Sequence, residues 1–257
     1  LDVYLPKAPS DRPLPILIQV PGGAWISGSK NEQGLPLLYR MASEGWACFS
    51  INYRLGPAAR FPAMLEDLLL AIAWVKQHAA RYGTDANHLV LTGGSAGGHL
   101  VSIAGLLEQR AQFQSGFEDV DTRPTLVMPI YGRYDFLNRH GILPGRGMEP
   151  FLCSKVMPGS PEQLPELWDV ASPVGLVHEA APPFLIVHGS ADCLIPVAEA
   201  RVFYDALSAV SRQAVDFLEI EGAQHAFDIC SSSWSLPVVD GLAPVSYTHL
   251  RAHETRP

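Results

Sequence analysis

Charge is scarce in this chain of 257 residues: Asp, Glu, Lys and Arg make up 17% of it, against 47% hydrophobic residues. That balance argues against a disordered chain or a coiled coil, both of which need many charged residues. Positive charge is the scarcer sign, with 18 Lys and Arg against 26 Asp and Glu and a formal net charge of −8. No basic patch interleaved with aromatics occurs, so nucleic acid is not an expected partner. An acidic surface fits an enzyme with a neutral small-molecule substrate. Cysteine is sparse too: Cys48, Cys153, Cys193 and Cys230 lie far apart without paired spacing, which argues against a disulfide framework and a zinc site. Buried free thiols are expected, and neither a metal nor an organic cofactor is implied.

Long apolar runs are also missing, and none reaches the roughly 20 residues that a bilayer-spanning helix requires. Internal repeats and low-complexity blocks are absent. The apolar runs that do occur are strand-length, near Ile16–Val20, Ala47–Asn52, His88–Leu91, Thr125–Ile130, Phe184–Gly189 and Ala214–Ile220. Between them lie helical patterns at Ala63–Tyr82, Ala96–Leu107 and from Val197. In the first, Leu65, Leu68, Leu69 and Ile72 form one stripe, with Glu66, Lys76 and Arg81 off it. Continuous apolar strands alternating with helices predict an α/β fold, a mostly parallel sheet covered on both faces. Leu1–Leu5 alternates and is expected to pair antiparallel at an edge. The length fits a single domain, taken here as residues 1–243.

Chemistry enters at Thr92-Gly93-Gly94-Ser95-Ala96-Gly97-Gly98-His99, between an apolar strand and a helix. A serine at such a corner is held in a strained backbone conformation, and its neighbours must be tiny so that two chains can pass close together. By itself the pattern also fits a plain structural turn. A catalytic serine needs a base and a group that orients the base, and on parallel sheets these follow in the order Ser, Asp or Glu, His. Asp192 follows the strand ending at Gly189, on the edge where open α/β sheets place their sites. It could equally cap the helix beginning near Val197. Asp135 is the alternative acid, whereas Glu199 and Asp205 fall inside a helical pattern and Asp216 inside a strand. His225, in the small-residue loop Glu221–Asp228, is the candidate base, since imidazole exchanges protons near neutral pH. His188 is expected to hydrogen-bond at its strand end, and His99 to border the site. The loop Pro21-Gly22-Gly23-Ala24-Trp25 leaves amides uncovered; Gly23, Ala24 and Ala96 are the candidate oxyanion donors, a simple Gly-Gly turn being the plainer alternative.

Six blocks now stand in order along residues 16–228: Gly22-Gly23-Ala24-Trp25, Ser50-Ile51-Asn52-Tyr53-Arg54-Leu55, Phe61-Pro62-Ala63 with Asp67, the serine corner, His188-Gly189 with Asp192, and Gly222–Phe227. In these the chain resembles α/β-hydrolases of the esterase/lipase group, which includes hormone-sensitive-lipase-like, feruloyl-esterase-like and arylformamidase-like branches. The resemblance implies a serine hydrolase that cleaves carboxylic esters of short acyl chains through an acyl-enzyme on Ser95. Formamide hydrolysis, sugar-acetyl or feruloyl ester hydrolysis, and a non-catalytic binding role are the alternatives. Two departures stand out: Pro21 where the family usually has histidine, and Gly94 where many lipase-like relatives have Asp.

Between Gly132 and Pro182 the alternation stops and prolines interrupt any long helix. In this fold that position is where insertions roof the active site. Phe136, Leu143, Met148, Phe151 and Trp168 could line an acyl site or belong to the core. Leu1 is not a Met and lies in a strand-like run, so upstream sequence is expected to be missing. The run Val245–Thr255 reads as the translation of a sequencing-library transposase adapter. Residues 244–257 are therefore expected to be a non-native, poorly packed tail that interrupts a helix patterned on Leu236, Val239 and Leu242.

Overall fold

Strand alternation divides the core into two layers, one on each face of a seven-stranded sheet ordered β1-β3-β2-β4-β5-β6-β7. The strands are β1 (Asp2–Tyr4), β2 (Leu14–Val20), β3 (Ala47–Ser50), β4 (Thr84–Gly94), β5 (Leu126–Ile130), β6 (Phe184–Gly189) and β7 (Val215–Ile220). The computed structural model describes residues 1–108, 111–229 and 233–242. The expected tail, 244–257, and Cys230 lie outside them. All neighbouring strands run parallel except β1, which pairs antiparallel with β3 at the edge.

Successive side chains of a strand point to opposite faces. Ile16, Ile18 and Val20 therefore join Leu91, Val127 and Ile186 in one apolar cluster, while Leu17, Val90, Met128 and Val187 join the other. On the first face pack α2 (Ala63–Gln77), α4 (Ala96–Leu106) and α7 (Val197–Val210), through residues such as Leu68, Leu100 and Phe203. On the second lie α1 (Leu35–Ser43), through Leu38 and Met41, and helical residues 235–242, through Val238, Val239 and Leu242. Leu236, expected on that buried stripe, is exposed. No helix among the described residues is long and apolar enough to cross a membrane.

Two further expectations need correcting. The helix expected over Ala63–Tyr82 breaks at His78 into α2 and the single turn α3 (Ala79–Tyr82). There the His78 ring stacks on Trp74 and its Nδ1 sits 2.8 Å from the Trp74 carbonyl oxygen, so a side chain competes for a helical acceptor. Of the three described cysteines only Cys48 is buried; Cys153 is half-buried and Cys193 exposed. In the segment 132–182, which carries α5 (Glu149–Lys155) and α6 (Pro165–Val170), Phe136 and Trp168 belong to the core. Leu143, Met148 and Phe151 remain partly exposed.

The strand order positions the site. From β2 the chain adds β3 on one side and β4 on the other, so β2 and β4 flank the switch point of the sheet, where the loops beyond their C-terminal ends diverge to leave a crevice. The loop after β2 takes three left-handed residues in succession, Gly23 (φ 113°), Ala24 (φ 51°) and Trp25 (φ 64°). Such a conformation persists only where surroundings impose it. Gln33 Oε1 accepts the Gly22 N–H at 2.7 Å, and the Tyr53 hydroxyl donates to the Pro21 carbonyl at 3.0 Å. Trp25 Nε1–H donates to His99 Nδ1 at 3.1 Å, while His99 Nε2 lies 2.9 Å from the Ala171 carbonyl oxygen. An acceptor-only carbonyl and an indole donor leave His99 one role at each nitrogen, so it is neutral with its proton on Nε2.

His99 is fully buried, and burial holds its pKa down at about 3 against the opposing bond to Ala171. In the unfolded chain it titrates near about 6.5. The unfolded state therefore binds more protons between those values, and stability falls as pH drops through that window. His99→Phe, which keeps a ring against Phe136, is expected to flatten the dependence of unfolding free energy on pH by up to about 1.4 kcal/mol per unit between roughly pH 4 and 6. Urea melts of the two proteins at matched pH values measure this, and parallel slopes would contradict the burial argument.

Candidate active site

The nucleophile candidate sits where backbone crowding is greatest. Ser95, at the junction of β4 and α4, has φ 55° and ψ −118°, far outside the ordinary regions for a residue with a Cβ. Its N–H donates to the Ile130 carbonyl at 2.9 Å, fixing the corner to β5. Gly97 explains why small residues surround it: a Cβ there would lie 2.0 Å from the Val20 carbonyl oxygen and 2.9 Å from that of Pro21. Helix α4 can approach the end of β2 only without a side chain at 97. Val20 and Gly93 are register partners, so the loop carrying Gly23 and Ala24 leaves the sheet beside the corner carrying Ser95 and Ala96.

Beyond β6 and β7, which are also neighbours, lie Asp192 and His225. Their loops are laced together: Ser190 N–H donates to the Ile220 carbonyl, Ala191 N–H to that of Ala223, and Gly222 N–H to the Ser190 hydroxyl. His225 Nε2 is 3.0 Å from Ser95 Oγ, and its Nδ1 is 2.7 Å from Asp192 Oδ2. The other oxygen of Asp192 accepts the N–H groups of Leu194 at 2.9 Å and Ile195 at 2.8 Å. Burial raises the pKa of this carboxyl, but the bonds from His188, His225 and Ile195 outweigh burial and hold it well below the usual carboxylate range. An ionised acid, an imidazole and a hydroxyl thus stand in one hydrogen-bonded line.

The alternative acid is elsewhere. Asp135 is buried and turned to His140, whose N–H and Nδ1 both lie 3.1 Å from its Oδ2. Glu199, in the first turn of α7, is paired with Arg133, both side chains being buried. The amides of Gly23, Ala24 and Ala96 donate to no acceptor within the described residues.

Two residues absent from the sequence-based set complete the surroundings. The Tyr131 ring lies 4.8 Å from that of His225, and its hydroxyl donates to the buried Asp228 carboxyl. Burial raises the pKa of Asp228, partly offset by the Tyr131 bond. The same tyrosine accounts for Gly94, since a Cβ there would meet the phenol oxygen at 2.6 Å. Only the placement of Tyr131 directly after an apolar strand hinted at it. Two large clefts among the described residues, about 940 and 1160 Å³, lie at the other end of the sheet, beside Thr125 and Pro183 and beside Leu14 and Gly45.

Comparison with known proteins adds the following. Residues 1–207 match the family described as BD-FAE. The esterase LipC of Mycobacterium tuberculosis is 42% identical over 95% of this chain and 60% of its own length. The chain spans about three fifths or less of the curated mycobacterial relatives it matches. Among solved structures, a truncated carbohydrate esterase from gut microbiota superposes with a TM-score of 0.80 at 22% identity, over 97% of this chain and 90% of that one. Thermogutta terrifontis esterase 2 phosphonylated by cyclosarin superposes with a TM-score of 0.75 at 24% identity, over 94% and 85%. At such identities the superpositions establish a shared α/β-hydrolase fold, while the family match covers most of the sequence: the chain belongs to the BD-FAE family.

Proposed function

We propose that this chain hydrolyses carboxylic esters of small acyl groups through an acyl-enzyme on Ser95. The carrying observation is the unbroken line from Ser95 Oγ to His225 Nε2 at 3.0 Å and from His225 Nδ1 to Asp192 Oδ2 at 2.7 Å. Esterase relatives such as LipC support the ester reading over formamide hydrolysis. Ser95 Oγ attacks the ester carbonyl carbon as His225 takes its proton at Nε2. Asp192 stays ionised, keeps the proton of His225 on Nδ1 and stabilises the imidazolium. The amides of Gly23, Ala24 and Ala96 receive the carbonyl oxygen as it becomes an oxyanion, each worth about 3 kcal/mol to the transition state. His225 returns the proton to the departing alcohol. Water, deprotonated in turn by His225, then releases the acid and restores Ser95.

The small-acyl preference rests on packing. The buried rings of Trp25, Phe136 and Trp168 are committed to one another and to His99. None is free to line a long acyl tunnel. Trp25 also carries strain from the oxyanion loop, which its bond to His99 helps to hold.

A fluorophosphonate probe should label the purified chain, and Ser95→Ala should abolish both labelling and turnover of p-nitrophenyl acetate, by on the order of a million-fold in kcat. An unlabelled but folded protein would favour the binding-module reading instead. Across p-nitrophenyl esters of increasing length, kcat/KM should peak at acetate to butyrate and exceed that for N-formylkynurenine; a maximum at long chains contradicts the packing argument. Trp25→Phe keeps the ring but loses the donor to His99, and is expected to lower kcat about tenfold with little change in KM, the signature of a loosened oxyanion loop.

A further inference from the structure

His188 belongs to neither the acid nor the base of the mechanism above, yet it reaches the same carboxylate. It is the penultimate residue of β6 and its side chain is wholly buried. Its Nε2 lies 2.9 Å from the Ile195 carbonyl oxygen and 3.2 Å from Asp192 Oδ2. Both are acceptors, so Nε2 must carry a hydrogen. Its Nδ1 is buried without a partner among the described residues. A bare acceptor is the less costly state for that nitrogen, because an imidazolium would bury an unsatisfied charged N–H instead. His188 is therefore a neutral imidazole with a forked Nε2–H.

The contacts close a ring. Ile195 donates its N–H to Asp192 Oδ1 and accepts His188 Nε2–H at its carbonyl, while the same Nε2–H faces Asp192 Oδ2. The plane of the carboxylate is thus fixed on both oxygens. His188 and His225 share Oδ2, so part of its negative charge is drawn away from His225.

Resting on the reading of Ser95, Asp192 and His225 given above, we propose that His188 is a positioning residue, a second imidazole donor that orients the triad carboxylate and moderates the basicity of His225. Without it, Oδ2 would be freer to swing and would concentrate its charge on His225, so the imidazolium would be favoured and the base would protonate at higher pH. Among the described residues the other titratable groups around His225 are Ser95, Asp192, Tyr131 and Asp228. Of these only Asp192 bonds to His188, so a change at 188 reaches His225 through that carboxylate.

The test compares wild type, His188→Phe, which fills the space without a donor, and His188→Gln, whose amide N–H can reach the place of Nε2. On p-nitrophenyl acetate, His188→Phe should move the acid limb of the kcat/KM profile up by about half a unit or more and lower kcat about tenfold or more at unchanged KM, the factor a hydrogen bond to a charged group carries. His188→Gln should return both most of the way. A lower melting temperature for His188→Phe with an unmoved acid limb would reduce His188 to a structural residue and overturn the proposal, as would equal shifts in both variants. Should His188→Phe not fold, imidazole ¹⁵N resonances of the wild type decide: His188 should be neutral and protonated on Nε2, and a charged or Nδ1-protonated ring overturns the proposal. Those resonances are read whether or not Ser95 reacts with a fluorophosphonate, so failure of the hydrolase reading and failure of this inference are told apart.

Discussion

The approach of helix α4 to the end of β2 is the constraint from which the site follows. It places position 97 so close to the Val20 carbonyl that no side chain fits, and it drives Ser95 into a left-handed turn at the top of β4. The same contact fixes the departure of the loop that holds Gly23 and Ala24. Nucleophile and oxyanion candidates are thus set by one packing interaction between main chains, which do not hop between rotamers as side chains do. The strain at 23–25 and at 95 is sustained by partners drawn from well-separated parts of the sequence: Gln33, Tyr53, His99 and Ile130.

Electrostatics supply the second layer. A carboxylate taken from water must be repaid in hydrogen bonds, and Asp192 accepts from two amides and two imidazoles. Its ionisation is secured in part by the loop it belongs to, so the charge beside His225 is in place in the folded chain. Burial acts on other groups too: it holds His99 neutral and raises the pKa of Asp228, which accepts from the Tyr131 hydroxyl.

The sheet, its layers and the order of the candidate site residues were legible because they depend on short-range pattern. Apolar runs of strand length predicted seven places in the sheet or close to them, the edge strand at Leu1–Leu5 included, and the serine corner announced itself through adjacent small residues. Where side chains meet partners from far along the chain, the pattern was mute. Phe136 and Trp168 could be core or lining by composition, and only their packing against Trp25 and His99 assigns them. The break at His78 arises from one ring bonding a carbonyl four residues back. Asp192 and Asp135 each follow a parallel strand; what separates them is that β6 and β7 are neighbours, which brings Asp192 to His225, while Asp135 turns to His140.

By itself the sequence determined an α/β fold and which residues are candidates for nucleophile, acid, base and oxyanion donor, because strand periodicity, glycine tolerance and side-chain functional groups are local properties. Only the tertiary structure decided the sharing of one carboxylate by His188 and His225, the tautomer of His99, the pairing of Tyr131 with Asp228, and the closeness of residues 95 and 225. These depend on sheet order and on distances of about 3 Å, and neither is encoded in the spacing of residues along the chain.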